Sequence, residues 1–241
     1  MSKIVDDKTL NAIIKETLGL SKEKAGDRLD ESYVVSSKNY ELNTDLLSKK
    51  AIDANLRLMQ GNIDNLNEIS ARLDSADTTS ANSYNSAFRN LKVDETYNIN
   101  SAFLSAYYFD NIADPTSKIT MDSMAYMRLN RDFGTFDDWQ KDFIACGLSS
   151  RDGWAVTVYN CFLNRYMNVV VDSDNLGIPM NCYPVIVLKM NDSMYFKDYL
   201  DDKKKYIFAM MKELNWDVVE KRFKRAEQLS KIFTKPLGGQ K

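Results

Sequence analysis

Histidine does not occur anywhere in this chain, and its absence closes off more chemistry than any other feature of the composition. No Ser-His-Asp or Cys-His arrangement can be assembled for nucleophilic catalysis. No P-loop and no GxGxxG segment is present, so the usual Gly-rich phosphate cradles are missing as well. Cysteine is scarce: Cys146, Cys161 and Cys182 are scattered and form no CxxC pair, which reads as buried thiols in a reducing compartment rather than a disulfide framework or a metal site. No apolar run approaches the roughly 18 to 20 residues of a membrane span. The longest, Tyr183 to Leu188, reads as a buried strand. Charge of one sign is not in surplus: 32 Lys and Arg face 34 Asp and Glu, net −2, which argues against nucleic acid as the main partner. The opening MSKIVDDKTL carries Asp6 and Asp7 and no arginine precedes Arg28, so it resembles neither a secretory signal nor an Arg-rich transit peptide. Entry into an organelle would then use an internal signal or a presequence already removed.

What is present suffices for a sizeable core, in one large or two small domains, with 44% hydrophobic residues in 241. Leu10, Ile13, Ile14, Leu18 and Leu20 predict a short amphipathic helix with Asp6 or Asp7 as its cap. Leu47, Ala51, Ala54, Leu58, Ile63, Leu66 and Ile69 predict a long helix over about 46–73, and the polar tract 75–86 a loop after it. A second helix is expected over Tyr97 to Ile112, stopped by Asp114-Pro115, with Ser117 to Leu129 helical again. Thr135 and Asp138 have the spacing of a capping box for a helix through Leu148. Trp154 to Tyr159 and Tyr166 to Val171 read as a hairpin and Tyr183 to Lys189 as a third strand. Helices are expected from about Ser193 to Tyr199 and from Lys203 to Leu214. The last residues are basic and read as a solvated tail, or as a docking arm for an acidic partner or RNA.

Six short motifs fall in order over residues 133–223: FGTFDDWQKDF, RDGW, DNLGIPMNCY, PVIVLKMNDSMYF and ELNWDVVEKRF among them. In order and spacing they resemble the C-terminal domain of iron/manganese superoxide dismutases, with its FGSFD, GSGW, QDxPL, DVWEHAYY and NWxxV patterns. A weaker likeness over 45–112 rests on SKK…DNLN and AYYFDNI. The resemblance implies an α+β fold: a long antiparallel helix hairpin, then an α/β domain with a three-stranded antiparallel sheet. It divides the chain into an N-terminal extension (1–44), a helical-hairpin domain (45–128), a dismutase-like C-terminal domain (129–223) and a basic tail (224–241).

The resemblance also implies four metal-ligand positions, three histidines and one aspartate in the family. Here they fall on Asn55 (or Ala54, depending on the anchor), Ser105, Lys189 and Ser193. The gateway tyrosine falls on Asn62 or Ile63, and the active-site glutamine near Asp174 to Leu176, with Asn175 the nearest amide. Asp192-Ser193 replaces the Glu-His pair that bridges subunits in the family dimer. Amide, hydroxyl and ammonium groups are a poor set for a first-row transition metal, and an ammonium repels a divalent cation. A buried ammonium needs a partner, for which Asp192 or Asp174 is the candidate. The paired carboxylates Asp137-Asp138 and Asp201-Asp202 are sequence neighbours on solvated faces and carry no chemistry.

A scaffold kept without its ligands, and extended at both ends, points to a non-catalytic interaction subunit that needs no cofactor. The family contains metal-less relatives in mitochondrial ribosomes and as accessory subunits of respiratory-chain assemblies. The resemblance therefore implies a mitochondrial location, matrix or inner-membrane-associated without a span of its own. Protein subunits of a large complex would be the partners, with a homo- or heterodimer with a dismutase-like paralogue also open. The acidic balance favours a respiratory complex over the alternative of a ribosomal small-subunit protein contacting rRNA, and an enzyme with a relocated metal site is the third reading. Candidate interaction residues are Asp192, Lys203, Lys204 and Lys205, together with Lys221, Arg222, Lys224 and Arg225.

Overall fold

A computed structural model describes residues 33–36, 38, 40, 42, 44–113 and 117–233. The expected helix around Leu10 to Leu20, the Asp114-Pro115 stop and the end of the basic tail lie outside those residues. Two long helices come first: α1 (Lys49–Asp74) and α2 (Ala87–Asn111). Ser48 caps α1 by accepting from the Ala51 amide at 3.3 Å. Ala51, Ile52, Met59, Ile63, Leu66 and Ile69 form its buried stripe at helical spacing. Ser86 caps α2, its hydroxyl accepting from Arg89 N at 3.1 Å. α2 thus begins well before Tyr97, where its apolar pattern starts. Its first turns are mostly exposed, so no buried stripe announces them.

Residues 117–123 are not helical; α3 is shorter than its periodicity suggests and spans Met124–Phe133. Its start is set by two side chains. The Ser123 hydroxyl accepts from Tyr126 N, and the Glu220 carboxylate accepts from Met124 N at 3.1 Å and Ala125 N at 2.9 Å. These satisfy amides that the first turn cannot bond internally. Gly134 then turns the chain at φ +93°, a conformation that side chains rarely adopt. Next, Thr135 caps α4 (Phe136–Ser149), accepting from Asp138 N at 3.0 Å and donating to the Asp138 carboxylate at 2.6 Å.

The sheet follows: β1 (Trp154–Asn160), β2 (Arg165–Val171) and β3 (Cys182–Lys189), all antiparallel in the order β2-β1-β3. Gly153 leads into it because a Cβ there would lie 1.9 Å from the Val171 carbonyl oxygen. Register places Trp154 opposite both Val171 and Lys189. Three helices close the fold: α5 (Asp192–Tyr199), α6 (Lys203–Lys212) and α7 (Trp216–Phe233). Trp139 is fully buried among Phe136, Phe143 and Trp216, and its Nε1 donates to Thr157 on β1 at 3.0 Å. This aromatic cluster ties α4 and α7 to the sheet. Burial of each large ring contributes on the order of 2 to 3 kcal/mol. The architecture is the α+β arrangement anticipated from the motifs.

The basic segment after residue 223 is a further correction: it is not a solvated tail as far as Phe233. It continues α7, with Ala226 fully buried and Glu227 bonded to Arg128 at 2.7 and 3.1 Å. Residues 128 and 223 lie within α3 and α7.

Candidate functional site

The four former ligand positions come from four elements: Asn55 from α1, Ser105 from α2, Lys189 from the end of β3 and Ser193 from the first turn of α5. Asn55 is fully buried and Ala54 is only half-buried. Its Nδ2 donates to Ala51 O at 2.9 Å and to Ser193 O at 3.0 Å, and its Oδ1 accepts from the Ser193 hydroxyl at 3.4 Å. These two positions are therefore in direct contact. Ser105 is fully buried and its hydroxyl finds no hydrogen-bond partner among the described residues. No hydrogen bond joins Ser105 or the Lys189 ammonium to the other two positions among the described residues.

Lys189 is buried at 5% exposure, with its Nζ 5.3 Å from the centroid of the Trp154 ring. Burial pulls its ammonium down from the usual 10.5 to about 8; Asp174 and Asp152 oppose that shift through their negative charge. Asp174 is buried too, accepting from Trp154 Nε1 at 2.6 Å, while its carbonyl oxygen accepts from Asn100 Nδ2 at 2.6 Å. Of the two carboxylates considered for Lys189, Asp174 is thus a charge neighbour across the indole. Asp192 is not: it is exposed and accepts from the Tyr195 hydroxyl at 2.5 Å. Asp152 was not anticipated; it stands in the RDGW motif, beside the glycine and tryptophan that drew attention there.

Behind Lys189 runs a phenolic chain. Tyr206 donates to the Lys189 carbonyl at 2.7 Å, and its hydroxyl meets that of Tyr108 at 3.1 Å. Burial raises both phenols well above their ordinary range. They act as neutral hydrogen-bonding groups. At the other anticipated positions, Asn62 donates to the Ser101 hydroxyl at 2.6 Å, and Ile63 is a core residue. Asn175 is exposed and accepts from Ser173, so the inward group at the glutamine position is Asp174, not the amide.

Iron or manganese, which the resemblance implies, does not suit this donor set. Asn55 offers only a neutral amide oxygen, which already accepts from the Ser193 hydroxyl, Ser105 and Ser193 offer neutral hydroxyls, and Lys189 brings an ammonium. Among the described residues no three of His, Cys, Asp and Glu cluster as metal ligands would.

The interaction candidates separate by burial. Arg222 is a correction. It is 4% exposed, its guanidinium lying 3.9 Å from the Tyr107 ring centroid and donating to Asn111 Oδ1, Tyr107 O and Asp110. The helical period explains this: Arg222 adjoins the buried Val219, Phe223 and Ala226 on α7. Lys203 is half-buried, donating to the carbonyls of Ser150 and Arg151 at the end of α4. Lys204, Lys205, Lys221, Lys224 and Arg225 are exposed, Lys224 within 3.7 Å of Glu220.

Comparison with known proteins is consistent with this architecture. The family model described as iron/manganese superoxide dismutases, C-terminal domain, matches residues 122–222. The superoxide dismutase [Fe] of Aquifex aeolicus is 31% identical over 170 residues, covering 69% of this chain and 79% of that protein. That of Aquifex pyrophilus is similar to the same degree, 31% over 170 residues. The superoxide dismutase [Mn] 1 of Halobacterium salinarum is 31% identical over 101 residues, 42% of this chain and 50% of its own length. With the helix hairpin, the three-stranded sheet and this breadth of similarity together, the chain belongs to the iron/manganese superoxide dismutase family.

Proposed function

We propose that this chain is a non-catalytic structural subunit of a large mitochondrial assembly, foremost an accessory subunit of a respiratory-chain complex. One observation carries the reading: the four positions that would grip a redox metal hold Asn55, Ser105, Lys189 and Ser193. Dismutation needs an ion that alternates between two oxidation states, and a buried ammonium within that sphere opposes any di- or trivalent cation. The fold meanwhile has its own supports. Trp139, Arg222 and Tyr206 each hydrogen-bond a helix to the sheet, at Thr157, Val185 O and Lys189 O. A scaffold stable in this way can serve through its surface.

Metal analysis of the purified chain, with a superoxide-consumption assay, tests the first half. The expected result is substoichiometric iron and manganese and no activity; one ion per chain with activity would overturn it and favour the enzyme reading. Native-gel separation of organelle membranes tests the second half, the chain migrating with a respiratory complex. The runner-up is a small-subunit protein of the mitochondrial ribosome. Lys221 and Arg225, exposed on the outer side of α7, favour it, since they are available to phosphates. An RNA contact would weaken steeply as salt rises, whereas a mainly apolar protein contact would not.

A further inference from the structure

The turn between β1 and β2 breaks the rule that turns are polar. Phe162 and Leu163 stand at its tip, 85% and 52% exposed. Several bonds hold the turn in one conformation. Asn160 Oδ1 accepts from both Phe162 N at 3.0 Å and Leu163 N at 2.9 Å. Asn164 adopts φ +54°, and its Oδ1 accepts from the Tyr159 hydroxyl and, at 3.2 Å, from the Ser230 hydroxyl. Ser230 lies on α7 beyond residue 222, where the match to the family ends. A segment outside the family match therefore braces a protruding apolar turn.

Beside the turn is a cavity of about 340 Å³ lined by Phe133, Leu163, Met167, Asn168, Asp142 and Arg165. Its charges are unequal in availability. Asp142 is engaged by Asn168 Nδ2 at 2.8 Å. Among the described residues the Arg165 guanidinium meets main-chain carbonyls alone, Asp132 O at 2.7 Å and Tyr166 O at 3.5 Å, and makes no carboxylate bond. An exposed aromatic on a turn whose backbone is already fixed is the type of anchor that dominates protein interfaces, because the main chain has little conformational entropy left to lose on binding.

The geometry points to the Phe162–Leu163 turn as a docking knob for another protein, one that offers an apolar cleft with a carboxylate at its edge to meet Arg165. A nucleic acid fits less well, since a phosphate backbone needs several cations where Arg165 is one, and Leu163 and Met167 offer no flat face for a base to stack on. This inference rests on the subunit reading above, and names its contact surface.

The test uses the full-length tagged chain in its source cells, followed by native-gel separation. Wild type should migrate in the large assembly, while Phe162→Asp should lose about tenfold or more of that fraction. Phe162→Leu should retain most of it, and Ser230→Ala should lose part by loosening the turn. Since Phe162 faces solvent, circular dichroism and the urea midpoint of Phe162→Asp should match wild type. If Phe162→Asp enters the assembly as wild type does, the knob is refuted and the subunit reading stands. If wild type never exceeds the size of its own oligomer, both fall. If nuclease digestion frees the wild-type chain, or Phe162→Asp only splits a homo-oligomer of the purified chain, the protein-partner assignment is overturned in favour of RNA or of a second copy.

Discussion

The Lys189 ammonium sits 5.3 Å from the centroid of the Trp154 ring, and Nε1 of that ring donates a 2.6 Å hydrogen bond to Asp174. Cation, indole and carboxylate thus stand in series at the end of β3, where the family places its ligand aspartate. The indole face attracts the ammonium and its N–H binds the carboxylate, so a single tryptophan serves both charges without bringing them into contact. A buried cation without a hydrogen-bonded counter-ion remains costly.

That cost has a measurable sign. The folded-state value of Lys189, about 8, lies below its ordinary 10.5. Between those pH values the unfolded chain holds a proton that the folded chain has released, so stability rises with pH through that window. Lys189→Met should therefore stabilise the protein near pH 7, by up to about 3 kcal/mol, and flatten the rise between pH 8 and 10. Tyr108 and Tyr206, whose phenols are raised by burial, give an opposite loss at higher pH, but wild type and variant share it. Urea midpoints at pH 7, 8, 9 and 10 read the difference. A variant less stable at pH 7, or with an unchanged slope, would refute the assignment.

Arg222 should behave in the reverse way. Its guanidinium supplies hydrogen bonds to Asn111, Tyr107 O and Asp110 and stacks at 3.9 Å on Tyr107. Arg222→Ala leaves Asn111 and a carbonyl oxygen unsatisfied, and should cost about 3 to 5 kcal/mol. Arg222→Lys should recover little, because an ammonium cannot reproduce the planar fork and the stack. Urea unfolding checks both, and near-wild-type stability of the alanine variant would show that the contacts are dispensable.

Glu220 makes a smaller, local contribution. Its carboxylate receives two amides at the start of α3, from Met124 and Ala125. Glu220→Ala removes both a cap and a favourable charge at the helix dipole, and should cost about 1 to 2 kcal/mol. Hydrogen exchange should show faster opening confined to α3. Uniform change across the chain would contradict a capping role.

Much of this fold could be read from the chain because its elements carry local signatures. The β-branched and aromatic runs of β1 and β2, the Thr135 cap and the apolar stripe of α1 each state their own structure. Long-range partners were harder to see. Nothing near Met124 announces that Glu220 caps it, and Arg222 sits among Lys221, Lys224 and Arg225, so its inward direction emerges only from the helical phase of Val219 and Phe223. At the site, four ligand positions could be identified through the family motifs. Of the charges near Lys189, Asp174 could be named from the sequence and Asp152 could not, because Asp152 comes near only through the pairing of β1 with β3. The turn between Tyr159 and Tyr166 is expected from the flanking strands, but only the folded structure shows Phe162 and Leu163 exposed at its tip.

Restoring the family's donors on the family's fold should restore metal binding. Asn55 and Ser193 already touch, Nδ2 to carbonyl oxygen at 3.0 Å, so imidazoles from α1 and α5 would start as neighbours. The Ser105 hydroxyl is buried with no partner among the described residues, so a histidine there would sacrifice no existing bond. Lys189→Asp would exchange the repelling ammonium for a carboxylate. The combined variant Asn55→His, Ser105→His, Lys189→Asp and Ser193→His should therefore take up about one manganese or iron per chain, each donor type being one that such ions accept. Lys189→Asp alone should take up none, since one carboxylate among hydroxyls and an amide is too weak a set. Elemental analysis of the refolded and dialysed proteins reads both. A combined variant that folds yet stays metal-free would mean that loss of the ligands was followed by movement of the backbone that carried them, and the argument from side-chain chemistry alone would then be insufficient.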